Sequence, residues 1–252
     1  MNHAIARPLS ALCLAGLCAT AQAEVLLMDD FAGAALAPAW AVEQGFAAVA
    51  GGQVDVYGST PGTRDGWIVA NEGADGAWSN YHFATRFLAE GGSGWYHGDV
   101  AFRVQDWQGW TSGTFYRLLV DTPLWSGGPG LNGGGTVSLG KVANGVYSTL
   151  VTTSPSPGIV GNRDNAIDVW AAGSRLQVAI NGTQLIDVVD GSPILTGGVA
   201  LGAIWESHVR YDYAVVATLP APIPEPQSWT MIALGAGALG WRVWRQRGST
   251  RG

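Results

Sequence analysis

Arg175-Leu-Gln-Val-Ala-Ile180, Asn181-Gly182, Thr183-Gln-Leu-Ile-Asp-Val-Val189 reads as two alternating runs joined by two residues. Asn-Gly supplies the two positive φ angles that a type I′ turn requires, so the stretch is a β-hairpin. A two-residue loop pairs Ile180 with Thr183 and Val178 with Leu185, which gathers the aliphatic side chains on one face. Outward from this hairpin the same punctuation recurs. Candidate strands are Val25–Phe31, Gln53–Tyr57, Tyr81–Leu88, Val100–Val104, Phe115–Val120 and Thr136–Leu139. Val146–Thr152, Ala166–Trp170, Gln184–Val189, Val199–Ile204 and Tyr211–Ala217 follow the same pattern. No stretch between them keeps a helical period. With 37 glycines, 12 tryptophans and only 13% charged residues among 252, the composition also suits an all-β chain. About twelve strands at spacings near ten residues predict a two-sheet jelly-roll sandwich. Residues 124–135 and 153–165 are expected to be long loops.

The two ends have a different character. Met1 to Arg7 is a short basic segment, Leu9 to Ala19 is apolar, and Ala21-Gln22-Ala23 is a small-x-small site that makes Glu24 the expected mature start. A lipoprotein reading of Cys18 needs a small residue before it, and Leu17 is bulky. Both cysteines, Cys13 and Cys18, fall in the segment expected to be removed, so the mature chain carries no thiol. At the other end, Leu219-Pro-Ala-Pro-Ile-Pro-Glu-Pro226 is an extended spacer. Ser228 to Trp244 then reads as one apolar transmembrane helix with a single charge, Arg242. Arg245 and Arg247 lie beyond it and act with Arg242 as a basic stop, so the bulk of the chain is expected outside. The expected organisation is a signal peptide over 1–23 and an ectodomain over 24–218. A linker over 219–227, a membrane helix over 228–244 and a basic cytoplasmic tail over 245–252 complete it.

Between Glu24 and Asp212 eight basic residues face eighteen acidic ones, a net of −10. Such a surface repels nucleic acid and anionic lipid. Divalent cations and neutral glycans are compatible with it.

Pro224-Glu225-Pro226, the short apolar helix and the arginine-rich end resemble the PEP-CTERM sorting signal of exopolysaccharide-producing Gram-negative bacteria. That resemblance implies export across the inner membrane and transient anchoring by the C-terminal helix. It also implies cutting near Pro-Glu-Pro by an exosortase, which supplies all of the chemistry, and a destination at the cell surface or outside the cell. The ectodomain resembles the concanavalin A-like (laminin G or glucanase) sandwich. Asp29-Asp30-Phe31 ahead of Trp40 is similar to that family's opening strand. Val100–Asp106 with Phe115–Asp121 is similar to its central pair, and Gly198–Gly202 with Val209–Val216 to its closing strands.

Glycosidases on such a sandwich use two close carboxylates, but no Glu-x-Asp-x-x-Glu signature occurs here. His3, His82, His97 and His208 are too scattered for metal-ligand spacing. No catalytic residues are therefore assigned. Two constellations stand out. Trp95, Trp107, Trp110 and Trp125 lie in glycine-rich surroundings, where indole faces either stack on sugar rings or fill the ends of the sandwich. Trp40, Trp67, Trp170 and Trp205 sit in strand patterns and are assigned to the core. Asp29 or Asp30 on the first strand and Asp212 on the last form an acidic group. It suits a structural calcium, which takes six to eight oxygens, or equally a salt bridge to Arg210. Three functions are compatible with these features: a matrix protein whose sandwich binds extracellular polysaccharide, a structural protein without a ligand, and a glycan-cleaving enzyme.

Overall fold

A computed structural model describes residues 23–58, 65–71, 78–90, 97–109, 111–122, 135–156, 158–159, 163–204 and 207–219. The segment expected to be a membrane helix, the motif Pro224, Glu225 and Pro226, the arginines 242, 245 and 247, Ala21 and the tryptophans 95, 110, 125 and 205 lie outside these residues.

All regular structure among the described residues is strand. The strands are β1 (Val25–Asp29), β2 (Trp40–Gln44), β3 (Phe46–Ala50), β4 (Gln53–Tyr57), β5 (Gly66–Ala70), β6 (Tyr81–Glu90), β7 (His97–Trp107) and β8 (Gly113–Asp121). They continue with β9 (Thr136–Ala143), β10 (Val146–Thr152), β11 (Asn165–Ala172), β12 (Arg175–Ile180), β13 (Thr183–Val189), β14 (Gly198–Ala203) and β15 (His208–Thr218). They form two antiparallel sheets. One runs β13-β12-β11-β6-β15-β4-β3, with β1 also on β15 to make eight strands, and the other, of seven strands, runs β10-β9-β8-β7-β14-β5-β2. Ala23–Leu219 make one compact unit. The eleven-residue β15 reaches both neighbours on one side, pairing β4 through His208–Tyr211 and β1 through Ala214–Ala217.

Every predicted strand lies within or overlaps one of these elements. Three were missed: β2, β3 and β5. Strand β5 is buried along all its length, so Gly66-Trp-Ile-Val-Ala70 shows none of the apolar-polar alternation that marks a half-buried strand. The first strand ends at Asp29 rather than Phe31, because Phe31 takes a left-handed φ of 50°. In the Asn181-Gly182 hairpin both turn residues have positive φ, 52° and 77°. Its register starts as expected with Ile180 opposite Thr183, but a bulge at Leu185 places Ile186, not Leu185, opposite Val178. The shift turns Ile186 inward to the core and leaves Leu185 only half-buried.

The core lies between the sheets. Val54, Val56, Phe83, Phe87, Ile167, Val169, Tyr211 and Val216 of the eight-stranded sheet meet Ile68, Val100, Phe102, Tyr116, Leu118, Leu139 and Leu201 of the other. Trp40 and Trp67 are buried as expected, though Trp67 faces away from this core. Trp170 is a correction. Its neighbours Val169 and Ala171 point inward, so period two puts Trp170 on the outer face, half-exposed.

Candidate functional site

The outer face of the seven-stranded sheet carries most of the chain's unusual chemistry. On β8 Tyr116, Leu118 and Val120 turn to the core, so Phe115, Arg117, Leu119 and Asp121 turn out. On β7 Val100 and Phe102 turn in, so His97, Asp99 and Ala101 turn out. Cross-strand register then lines up Leu119, Asp99, Gly202 and Trp67 as one row over β8, β7, β14 and β5. Gly202 is required there, because a side chain at this position would collide with the Trp67 indole.

Two patches share the face. The polar one is the ion pair of Asp99 and Arg117, both buried, in which the Arg117 Nε lies 2.9 Å and 3.1 Å from the two carboxylate oxygens and one terminal nitrogen makes a further bond. Burial pushes the Asp99 carboxyl up to about 6, although Arg117 and His97 favour its charge; nearby Asp65 adds to the rise. Burial also opposes the Arg117 charge, but Asp99 outweighs it and holds the guanidinium above its ordinary range. Next to this pair His97 contacts Asp121, whose other oxygen accepts the Thr136 hydroxyl at 3.1 Å. From the core side, the Tyr211 hydroxyl lies 2.8 and 2.6 Å from the Asp99 and Gly202 carbonyls and can donate its proton to either, fixing the backbone behind the pair.

The second patch is apolar. Trp67, Val69, Ala101, Val104, Trp107, Phe115, Val142, Ala200 and Ile204 form a cluster separate from the core. Val104 joins it because β7 bulges after Phe102 at Arg103, which has φ 52°, and the extra residue reverses the face on which its successors lie. Trp107 packs against Trp67 at 4.6 Å between centroids and stacks on Phe115 at 4.7 Å. Beside it opens a groove of about 500 Å³, lined by Glu43, Gln44, Trp107, Gln108, Gly109, Thr111 and Ser112. The β7–β8 turn holds this rim through Ser112 N donating to the Gly109 carbonyl (2.9 Å), and Gln108 donates to Asp106 at 2.6 Å.

Of the four tryptophans read as glycan contacts, Trp107 alone is among the described residues. It is 7% exposed, a cluster residue that also borders the groove. Glu43, Gln44, Thr111 and Ser112 were not singled out in the sequence. Neither were Asp99 and Arg117, although parity with the apolar residues beside them marks both as outward-facing.

The acidic constellation does not converge. Strands β1 and β15 do pair, but Asp29 accepts the Phe31 amide (2.8 Å) and the Trp40 indole N–H (3.0 Å) on its two oxygens. Asp30 accepts the Ala32 amide at 3.1 Å. Asp212 sits at the β15 bulge and is bound by Arg86 and Gln53, not by Arg210. Each of the three thus holds a turn or a side-chain partner, and they are not gathered into one group. Among the described residues no group of three or more His, Cys, Asp or Glu is placed to hold a metal ion.

Residues 222–247 match the PEP-CTERM protein-sorting motif. No curated protein sequence matches the chain. Among solved structures, the chain is similar to the carbohydrate binding module CBM66 from Bacillus subtilis. The TM-score is 0.52 at 18% identity, over 69% of this chain and 92% of that one. It is similar also to the CBM2 module of the evolved Dit of Lactobacillus casei BL23 phage J-1, with TM-score 0.57 at 11% identity over 79% and 97%. A third is the exoplasmic/lumenal domain of VIP36 in its Ca²⁺/Man3GlcNAc-bound form, with TM-score 0.52 at 17% identity over 73% and 87%. The sandwich thus shares its fold with these two modules and the VIP36 domain. The chain that bears it carries an exosortase sorting motif at residues 222–247.

Proposed function

We propose that the chain is an exported, exosortase-processed surface or matrix protein whose sandwich binds a neutral extracellular polysaccharide at the Trp107 groove. The observation that carries this is the lining. An indole edge, one carboxylate, two carboxamides and two hydroxyls surround about 500 Å³ on the outer side of one sheet. Such a set offers an apolar contact and several donors and acceptors to sugar hydroxyls. The net charge of −10 between Glu24 and Asp212 disfavours a polyanionic glycan. Glu43 is the single carboxylate among the described lining residues, whereas glycoside hydrolysis takes two across the scissile bond. That supports binding rather than cleavage. The fold neighbours whose names mention carbohydrate point the same way.

Affinity electrophoresis in gels of neutral polysaccharide tests the groove. Gln108→Ala with Thr111→Ala, both on the turn, should weaken retardation about tenfold, the equivalent of roughly 1.4 kcal/mol. Trp107→Ala should do so more strongly, with loss of packing. A double variant retarded like the parent would favour the structural reading, in which Trp107 serves only to pack Trp67 and Phe115.

The sorting step has its own test. Proline fixes φ and lacks an amide donor, so the sequence Pro224-Glu225-Pro226 disfavours a helix and suits reading by a protease-like cleft. Changing Pro224, Glu225 and Pro226 to alanine should leave the apolar run intact and the protein retained in the membrane of an exosortase-containing host. Release equal to the parent's would make the tail an ordinary anchor.

A further inference from the structure

The eight-stranded sheet bears a second aromatic site on its own outer face, on the opposite side of the sandwich from the groove. Its centre is Trp170. In the register of β11, its partners are His82 on β6 and Gln177 on β12, so it stands between them. The His82 ring stacks on the indole at 4.8 Å and 7°, and its Nε2 lies 2.8 Å from Asp168 Oδ1. Asp168 thereby fixes the ring that fixes the indole. On the other side, Gln177 donates to Asp187 at 3.2 Å, and Asp187 accepts two bonds from Arg175 at 2.8 and 2.6 Å.

Folding does not require an indole here. Ile167, Val169 and Ala171 supply the core face of β11, and Trp170 adds half-exposed apolar surface on the solvent side. The arginines beside it are held in ion pairs, Arg175 with Asp187 and Arg86 with Asp212, and Asp168 is hydrogen-bonded to His82. An ionic ligand would have to break one of them. An uncharged one needs only the indole surface, the second oxygen of Asp168 and the remaining donor and acceptor of Gln177. That combination, a pinned ring rimmed by hydrogen-bonding groups, complements a neutral sugar chain.

We propose that this face is a second neutral-polysaccharide site and that the domain bridges two polysaccharide chains through its opposite faces. The bridging rests on the groove reading above, whereas the site at Trp170 does not. Two sites on one rigid body also raise avidity for a chain network without new contacts at either.

The full-length protein, purified in detergent, would be titrated into dextran, mannan and mixed-linkage β-glucan. Gel retardation reads binding and turbidity reads bridging. The parent should be retarded by at least one of these and should cloud it. Trp170→Ala should abolish the clouding and weaken retardation about tenfold while binding persists through the groove. Asp168→Asn, a half-exposed and isosteric change, should act in the same direction and guards against misfolding in the first variant; melting curves verify both. Clouding by Trp170→Ala equal to the parent's overturns the proposal and leaves the groove untouched. Loss of all binding in Trp170→Ala, with the groove variants still binding, would sink the groove reading and the bridging with it, and leave the Trp170 site standing. A changed mass in light scattering with unaltered polysaccharide binding would make the face a contact between copies of the chain and overturn the proposal. A parent that binds none of the three overturns both readings.

Discussion

Arg103→Met should lower the stability of the sandwich by about 3–5 kcal/mol, the range for breaking a buried charged network. For a domain of this size that is a fall in melting temperature of roughly 10 °C or more. Arg103 is fully buried at the β7 bulge, and its side chain has no carboxylate partner among the described residues. Its guanidinium instead donates to the carbonyls of Gly173 (2.6 Å), Ile194 and Ser79 (3.2 Å). Its own amide donates to the Tyr81 hydroxyl at 2.7 Å. The planar fork thus ties the β11–β12 turn, the segment before β14 and the entry to β6 onto the bulge. Methionine fills much of the volume but leaves three carbonyls without donors, each costing about 1–3 kcal/mol. Arg103→Lys should recover only part of the loss, since an ammonium cannot reach all three. Arg103→Gly relaxes the φ of 52° yet loses the same bonds, so it separates backbone strain from hydrogen bonding. Urea titration measures all three; a methionine variant within 1 kcal/mol of the parent, by order of magnitude an ordinary surface change, would show that the bulge holds itself.

The Asn181-Gly182 turn was legible because its chemistry is local: two positive φ angles admit few residue pairs. The bulge at Leu185 was not, since it depends on which of Leu185 and Ile186 finds room in a core built by distant strands. The outer face of Trp170 could have been read. Ile167, Val169 and Ala171 already occupy the inner face of that strand, and an aromatic residue between them must point out. Trp67 defeats the same argument, because β5 is covered on both sides and parity carries no sign of which side is core. The groove was half visible. Trp107 drew attention as an aromatic near glycines, but Glu43 and Gln44 come from an edge strand some sixty residues earlier in the chain. Sequence pattern assigns faces within a strand, whereas neighbours across a sheet are set by topology. The same limit explains the acidic residues: β1 does lie beside β15, but Asp212 is turned by a bulge toward Arg86.

The ion pair of Asp99 and Arg117 should make stability fall, not rise, as pH increases from about 4 to about 6. The unfolded Asp99 titrates near 3.8 and the folded one near 6, because burial disfavours its charge more than Arg117 favours it. Between those values the folded chain keeps a proton that the unfolded chain has released. Unfolding then becomes easier with each step up in pH, and the effect levels off above the folded value. The full loss is about 3 kcal/mol, two pKa units at roughly 1.4 kcal/mol each. Asp187, held down chiefly by Arg175, works in the opposite sense: its contribution is complete above the ordinary carboxylate range and is lost only as pH falls below it. Asp190 is lowered too: burial opposes its charge, but Lys141, Tyr116 and the Ser192 amide outweigh that cost. Both act below the window in which Asp99 acts. The groups facing Asp99 are Arg117, His97 and Asp65, and only the first is a direct partner. Asp99→Asn keeps an oxygen for Arg117 and removes the titration. The variant should be close to the parent at pH 4, where the folded parent's Asp99 is neutral, and its stability should not decline between pH 4 and 6. Urea titrations of both proteins at half-unit intervals measure the slope. A parent whose stability is flat or climbing over that interval, with the asparagine variant running parallel to it, would mean that Arg117 keeps Asp99 charged throughout and outweighs burial.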